Sequence, residues 1–112
     1  MDSKVSYLEI GTKNAETSRV FFEQLFGWSF HSMENNGEGW FETPSIKAGL
    51  HGNDPNPQFF VFFNVADLDT AVAKVKELGG KIEEPENDEP GFGKFCSCRD
   101  PEGVLFGLHQ SS

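Results

Sequence analysis

The chain carries an internal repeat. Tyr7 to Gly27 aligns with Phe60 to Gly80, 53 positions later, with Thr17 on Thr70, Leu25 on Leu78 and Gly27 on Gly80. Asn14 and Asp67, both residues that start helices, also coincide. A second echo follows in the same order: Gly49-Leu50-His51 returns as Gly107-Leu108-His109, at an offset of 58. Two copies of one unit, related by pseudo-symmetry, leave a cleft where their sheets meet, and such clefts are favoured ligand sites. The repeat therefore constrains both the architecture and the expected place of function.

Each copy reads as strand, helix, then three strands. Val5 to Thr12 alternates as a strand, with Leu8 and Ile10 on one side and Tyr7 and Glu9 on the other. Asn14 caps a helix over Ala15 to Phe26 that gathers Ser18, Phe21, Phe22, Leu25 and Phe26 on one side and stops at Gly27. Turn residues at Asn35-Asn36-Gly37 and Thr43-Pro44-Ser45 divide Trp28 to His51 into three short strands. The polar, Pro-rich run Gly52 to Pro57 links the copies. Phe59 to Val65 opens the second, and Asp67 caps a helix with Leu68, Ala71, Val72 and Val75 at core spacing, stopped by Gly79-Gly80. Lys81 to Glu84, Gly93 to Arg99 and Val104 to His109 complete it. The expectation is one domain over residues 1–112, with modules at about 4–52 and 58–110.

A chain of 112 residues can remove roughly 60 to 70% of its unfolded surface from water, so one core suffices. Nine Lys and Arg against eighteen Asp and Glu give a net charge of −9, which excludes nucleic acid as a natural partner and suits a small ligand, including a cationic one. No apolar run approaches the roughly 20 residues that span a bilayer, and Met1-Asp2-Ser3-Lys4 lacks a signal segment, so no membrane partner and a cytoplasmic location are expected. Cys96 and Cys98 fall on one side of a strand as two small buried thiols.

These residues resemble the vicinal oxygen chelate superfamily, which groups glyoxalase I, bleomycin-resistance proteins, fosfomycin-resistance enzymes and extradiol dioxygenases. The resemblance rests on Leu8-Glu9-Ile10, Phe21-Phe22 with Leu25-Phe26-Gly27-Trp28, Val65-Ala66-Asp67-Leu68-Asp69 with Leu78-Gly79-Gly80-Lys81, and Gly91-Phe92-Gly93 followed by Arg99-Asp100-Pro101-Glu102-Gly103 and Phe106-Gly107-Leu108. It implies an α+β fold in which two βαβββ modules form a curved mixed sheet around a central cavity, and it implies a homodimer. In catalytic members four side chains hold one divalent metal ion. The matching positions here are Tyr7, Phe60, Gly107 and, near the end of the first module, Gly49.

Phe and Gly offer no donor atoms, and a tyrosine with a pKa near about 10 is a poor ligand. The expected reading is therefore a metal-free binder of a small organic molecule, without a cofactor, whose aromatic and acidic cavity is lined by Tyr7, Glu9, Trp40, Phe60, Phe62, Phe92 and Gly107. Its rival is a metal-dependent lyase, isomerase or dioxygenase using Glu9, His51 and His109, each two residues past a family ligand position. Glu9 could instead serve as a general base. Strand-end histidines beside polar segments are more often solvated, and His31 reads as a surface residue. A third reading has the aromatics fill the cavity themselves.

Overall fold

The computed structural model describes residues 3–33 and 37–111; Met1-Asp2 and Asn35-Asn36 lie outside the described residues. In chain order it contains β1 (Val5–Gly11), α1 (Ala15–Phe26), β2 (Ser29–Ser32), β3 (Gly39–Glu42), β4 (Lys47–His51), β5 (Gln58–Asn64), α2 (Leu68–Glu77), β6 (Lys81–Glu89), β7 (Gly93–Arg99) and β8 (Leu105–Ser111). The strand-helix-three-strand order thus occurs twice, in an α+β fold. Two compact units emerge, one spanning Tyr7–Phe60 and the other the rest of the described chain.

In the first unit the strands run in the order β2-β3-β4-β1. β1 and β4 are parallel, which requires a crossover, while the β2-β3 and β3-β4 ladders are antiparallel. Alternation places Ile10, Phe41, Ala48 and Leu50 against Ala15, with Leu8, Phe22, Trp28 and Phe30 around them. Phe41 is fully buried, with its ring 5.1 Å from that of Phe30 and 5.5 Å from that of Trp28.

The ends of α1 follow from its sequence. Asn14 accepts the Thr17 amide at 3.0 Å, and Gly27 takes a left-handed φ of 72° that lets its amide reach the Glu23 carbonyl. Burial, however, differs from the expected stripe. The seat is centred on Ala15 and Phe22, so Phe21 and Leu25 sit on its flank and Phe26 on its last turn; all three are more than half exposed.

The second unit has the order β5-β8-β7-β6, with β5 and β8 parallel. Val65, Leu68, Ala71, Cys96, Cys98 and Leu108 form its core, and Leu68 is completely buried. Asp67 precedes α2 as expected, yet its carboxylate takes the Thr70 hydroxyl, and the Leu68 amide is satisfied by Gln110 Oε1 at 2.7 Å. The thiols of Cys96 and Cys98 are buried 3.8 Å apart on one side of β7. Their mutual hydrogen bond, together with burial, pushes the Cys96 thiol far above the ordinary cysteine range.

β6 runs five residues past the expected Glu84. Its pairing with β7 shifts register between Ile82 and Glu84 and again between Glu84 and Asn87, the second shift spanning Pro85. Pro cannot donate to a ladder, so it sits where pairing is interrupted on an outermost strand. Carboxylates along such a strand discourage pairing with another chain. At the closing turn, Asp100 Oδ1 accepts the amides of Glu102 and Val104, each at 2.8 Å, and Gly103 adopts a φ of 93°.

Candidate functional site

Each unit has one sheet face packed under its helix and one that the helix does not cover. In the first unit, register aligns His31 with Trp40, Trp40 with Gly49, and Gly49 with Glu9 across the uncovered face. Tyr7 lies on the same side of β1, two residues before Glu9. The Trp40 ring is engaged twice: His31 stacks on it at 4.2 Å, and Lys47 Nζ lies 4.5 Å from its centre. His31, exposed as expected, also meets Glu42 at 3.1 Å.

Gly49 is the hinge of this arrangement. A Cβ there would overlap the Tyr7 hydroxyl and Glu9 Oε1, so these side chains occupy the volume a larger residue would fill. The other oxygen, Glu9 Oε2, lies 2.5 Å from His51 Nδ1, and His51 Nε2 lies 3.0 Å from Asp54 Oδ2. Three features bring Asp54 there. Gly11 lacks the Cβ that would overlap the Asp54 carboxylate. Asn53 takes a φ of 58°, turning the chain, and the Asn53 and Asp54 amides bond to the carbonyls of Lys13 and Thr12 at 3.0 and 2.9 Å.

Ionised carboxylates only accept, so bonding to both requires that both His51 nitrogens carry protons. Burial opposes that charge, but the hydrogen bonds and the charges of Glu9 and Asp54 outweigh it and raise the His51 pKa above 6.5. The Asn56 amide, followed by His51, lowers the Asp54 pKa below 3.8. Stability from His51 is complete below its unfolded value of 6.5 and is lost as pH rises through the raised folded value. Stability from Asp54 is complete above 3.8 and is lost as pH falls through its lowered folded value. Urea midpoints measured across this range should therefore fall at the alkaline side of the His51 titration, and Glu9→Gln should flatten that fall; an unchanged profile in the variant would contradict the coupling.

In the second unit, Phe62 pairs with Gly107 in register, and a Cβ on Gly107 would overlap the Phe62 ring. The rings of Phe62, Phe92 and Phe95 meet edge to face, with centres 5.4 to 6.0 Å apart. Phe60 is half-buried on the same side of β5 as Phe62. His109 corrects the expectation of a solvated strand-end histidine: it is only 7% exposed. β8 continues beyond it to Ser111, and its ring stacks on Phe92 at 3.9 Å. Its Nδ1 lies 3.1 Å from Ser6 Oγ, and its Nε2 lies 2.6 Å from the Phe92 carbonyl.

This donor set does not fit a divalent metal. Of Tyr7, Gly49, Phe60 and Gly107, only Tyr7 has a side-chain donor. In the shifted set the structure brings Glu9 and His51 together, but both nitrogens of His51 and both of His109 already have hydrogen-bond partners. Among the described residues, no group of three or more His, Cys, Asp or Glu side chains is placed to hold a metal ion. Asp54 and Ser6 were not recognisable from sequence. Asp54 sits in a run that reads only as a polar linker, and its place three residues after His51 matters only because Gly11 makes room and Asn53 turns the chain; Ser6 lies 103 residues from His109.

A repeated βαβββ unit with helix-free sheet faces defines a class of fold. Residues 4–108 match the model of the Glyoxalase/Bleomycin resistance protein/Dioxygenase superfamily, and the chain belongs to that family. It is 28% identical over 107 residues to a Mycobacterium tuberculosis protein provisionally named glyoxylase CFP32, covering 89% of this chain and 41% of that protein. Anthracycline biosynthesis protein DnrV of Streptomyces peucetius is 24% identical, with 92% and 45% covered. The chain thus spans less than half the length of these relatives. Among solved structures, hypothetical protein BH1468 from Bacillus halodurans superposes with a TM-score of 0.79 at 12% identity, covering 100% of this chain and 96% of that one. Methylmalonyl-CoA epimerase from Mycobacterium tuberculosis gives 0.72 at 14% identity, covering 96% and 87%. At these identities the likeness shows the fold.

Proposed function

We propose that the protein binds a small organic molecule without a resident metal ion, using Tyr7, Glu9 and Trp40 on the uncovered face of the first unit. One observation carries this reading: at Gly49, where relatives with a metal centre need a donor, the Tyr7 hydroxyl and the Glu9 carboxylate fill the space instead. Trp40 supplies a flat aromatic surface that already attracts a cation, and Glu9 supplies a fixed polar contact. Phe60 and Phe92, half-buried beside the buried Phe62 and Gly107, offer apolar surface of a kind that suits greasy ligands. The acidity of the chain supports a ligand that is neutral or cationic.

The test combines elemental analysis of untagged protein with thermal-shift screening of a panel. Anthracyclines belong in it, given the name of one relative, and coenzyme A thioesters serve as the anionic contrast that the acidic chain should reject. A selective ligand at a hundred times its Kd stabilises the native state by about 2.7 kcal/mol, and Trp40→Ala or Glu9→Gln should abolish the shift. One equivalent of tightly bound metal, removable only with loss of an activity, would overturn the reading.

A second reading makes Glu9 a general base. The 2.5 Å contact with His51 supports it by fixing the carboxylate in place on the uncovered face. Solvent-deuterium incorporation into a bound panel member, lost in Glu9→Gln, would favour it; binding without exchange would leave only the first reading. We also propose a cytoplasmic homodimer. Exposed Phe21, Leu25, Phe26 and Phe59 support the dimer, and sedimentation velocity tests it. No helix among the described residues is long and apolar enough to cross a membrane.

A further inference from the structure

Ser6 and His109 form a pair that the proposed function does not use. The Phe92 carbonyl can only accept a hydrogen bond, so at 2.6 Å it holds a proton on His109 Nε2, the tautomer in which Nδ1 is the acceptor. That leaves the Nδ1 lone pair 3.1 Å from Ser6 Oγ, nearer to the hydroxyl proton than its other acceptor, the Phe62 carbonyl at 3.5 Å. Stacking on Phe92 at 3.9 Å prevents the imidazole from turning away. The result is a nucleophile, a base and a group that orients the base, the arrangement by which a hydroxyl is activated. Ser6 is half-buried, whereas His109 is buried.

We infer that Ser6 is an activated nucleophile, with His109 as its general base and the Phe92 carbonyl as its orienter, and that it takes an apolar acyl or phosphonyl group. The class of substrate follows from the surroundings. Phe62, Phe92 and Phe95 cluster on the face that carries His109, and among the described residues the partners of the pair are backbone carbonyls and each other. Attack transfers the Ser6 proton to His109 Nδ1 while the Ser6 oxygen bonds to the carbonyl carbon or phosphorus. The leaving group departs with its bonding electrons and takes up the proton from the imidazolium. Water, with the same base, then hydrolyses an acyl ester, whereas a phosphonyl ester persists.

The full chain is treated with an alkyl fluorophosphonate and, separately, with p-nitrophenyl butyrate. Expected are one phosphonyl adduct per chain, mapped by peptide mass spectrometry to Ser6 with release of fluoride, and a burst of one equivalent of p-nitrophenolate. Ser6→Ala should remove both, and His109→Gln should slow labelling by about 10² to 10⁴-fold. An unlabelled wild-type protein, an adduct on another residue, or a label that persists in Ser6→Ala overturns the inference. So does a labelling rate that is unchanged in His109→Gln. Because the wild-type result decides by itself, a His109 variant that fails to fold does not shelter the inference.

Discussion

Phe41→Ala is expected to cost about 3–5 kcal/mol, the largest loss from any single truncation in the first unit. The ring is fully buried and is edge-on or tilted to Phe22, Trp28 and Phe30, with centres 6.1, 5.5 and 5.1 Å away. Removing it deletes apolar burial and leaves a void walled by rigid rings, which cannot collapse as flexible aliphatic chains would. Measured against a total stability of about 5–15 kcal/mol, such a loss leaves the variant marginal. Urea denaturation followed by tryptophan fluorescence reads it directly, since Trp28 borders the void. A loss below about 1 kcal/mol would mean that the packing around Phe41 is looser than described.

The second expectation concerns Gly107. Adding one methyl group there drives it into the Phe62 ring, so Gly107→Ala should destabilise by about 1–3 kcal/mol despite its small size. In a Phe62→Ala background the obstruction is gone, and the same change should be nearly neutral. The double-mutant cycle therefore yields a large non-additive term. Additive losses would show that Phe62 does not fill the space beside Gly107. The outcome also bears on metal binding: a donor placed at residue 107 has no room until Phe62 is made smaller.

Much of the architecture was legible because it is local. Asn14, Gly27 and Gly79 mark helix ends through backbone chemistry, and α1 begins and ends where those signals place it. The doubled element order followed from the repeat. β6 was legible only as far as Glu84, because an acidic run containing Pro reads as loop until an antiparallel partner such as β7 satisfies its backbone. Membership of the family, and the lack of donors at Gly49 and Gly107, could also be read directly. The partners of the histidines could not. His51 meets Asp54 only because Gly11 makes room and Asn53 turns the chain, and His109 meets Ser6 across nearly the whole length of the protein. Such meetings depend on register and close approach, which residue types and spacing do not encode.

The carboxylates of β6 have a consequence for handling the protein in acid. Glu84, Glu86, Asp88 and Glu89 all project from an exposed rim of backbone, and their mutual repulsion is what another molecule's strand would have to overcome. Protonation dissolves that repulsion. The hydrogen bond and ion pair with Arg99 hold the Glu83 pKa below 4.5, so that carboxylate keeps its charge further into acid than a free glutamate does. Mild acid should thus turn the rim from a repellent border into a template for filament growth before the interior of either unit comes apart.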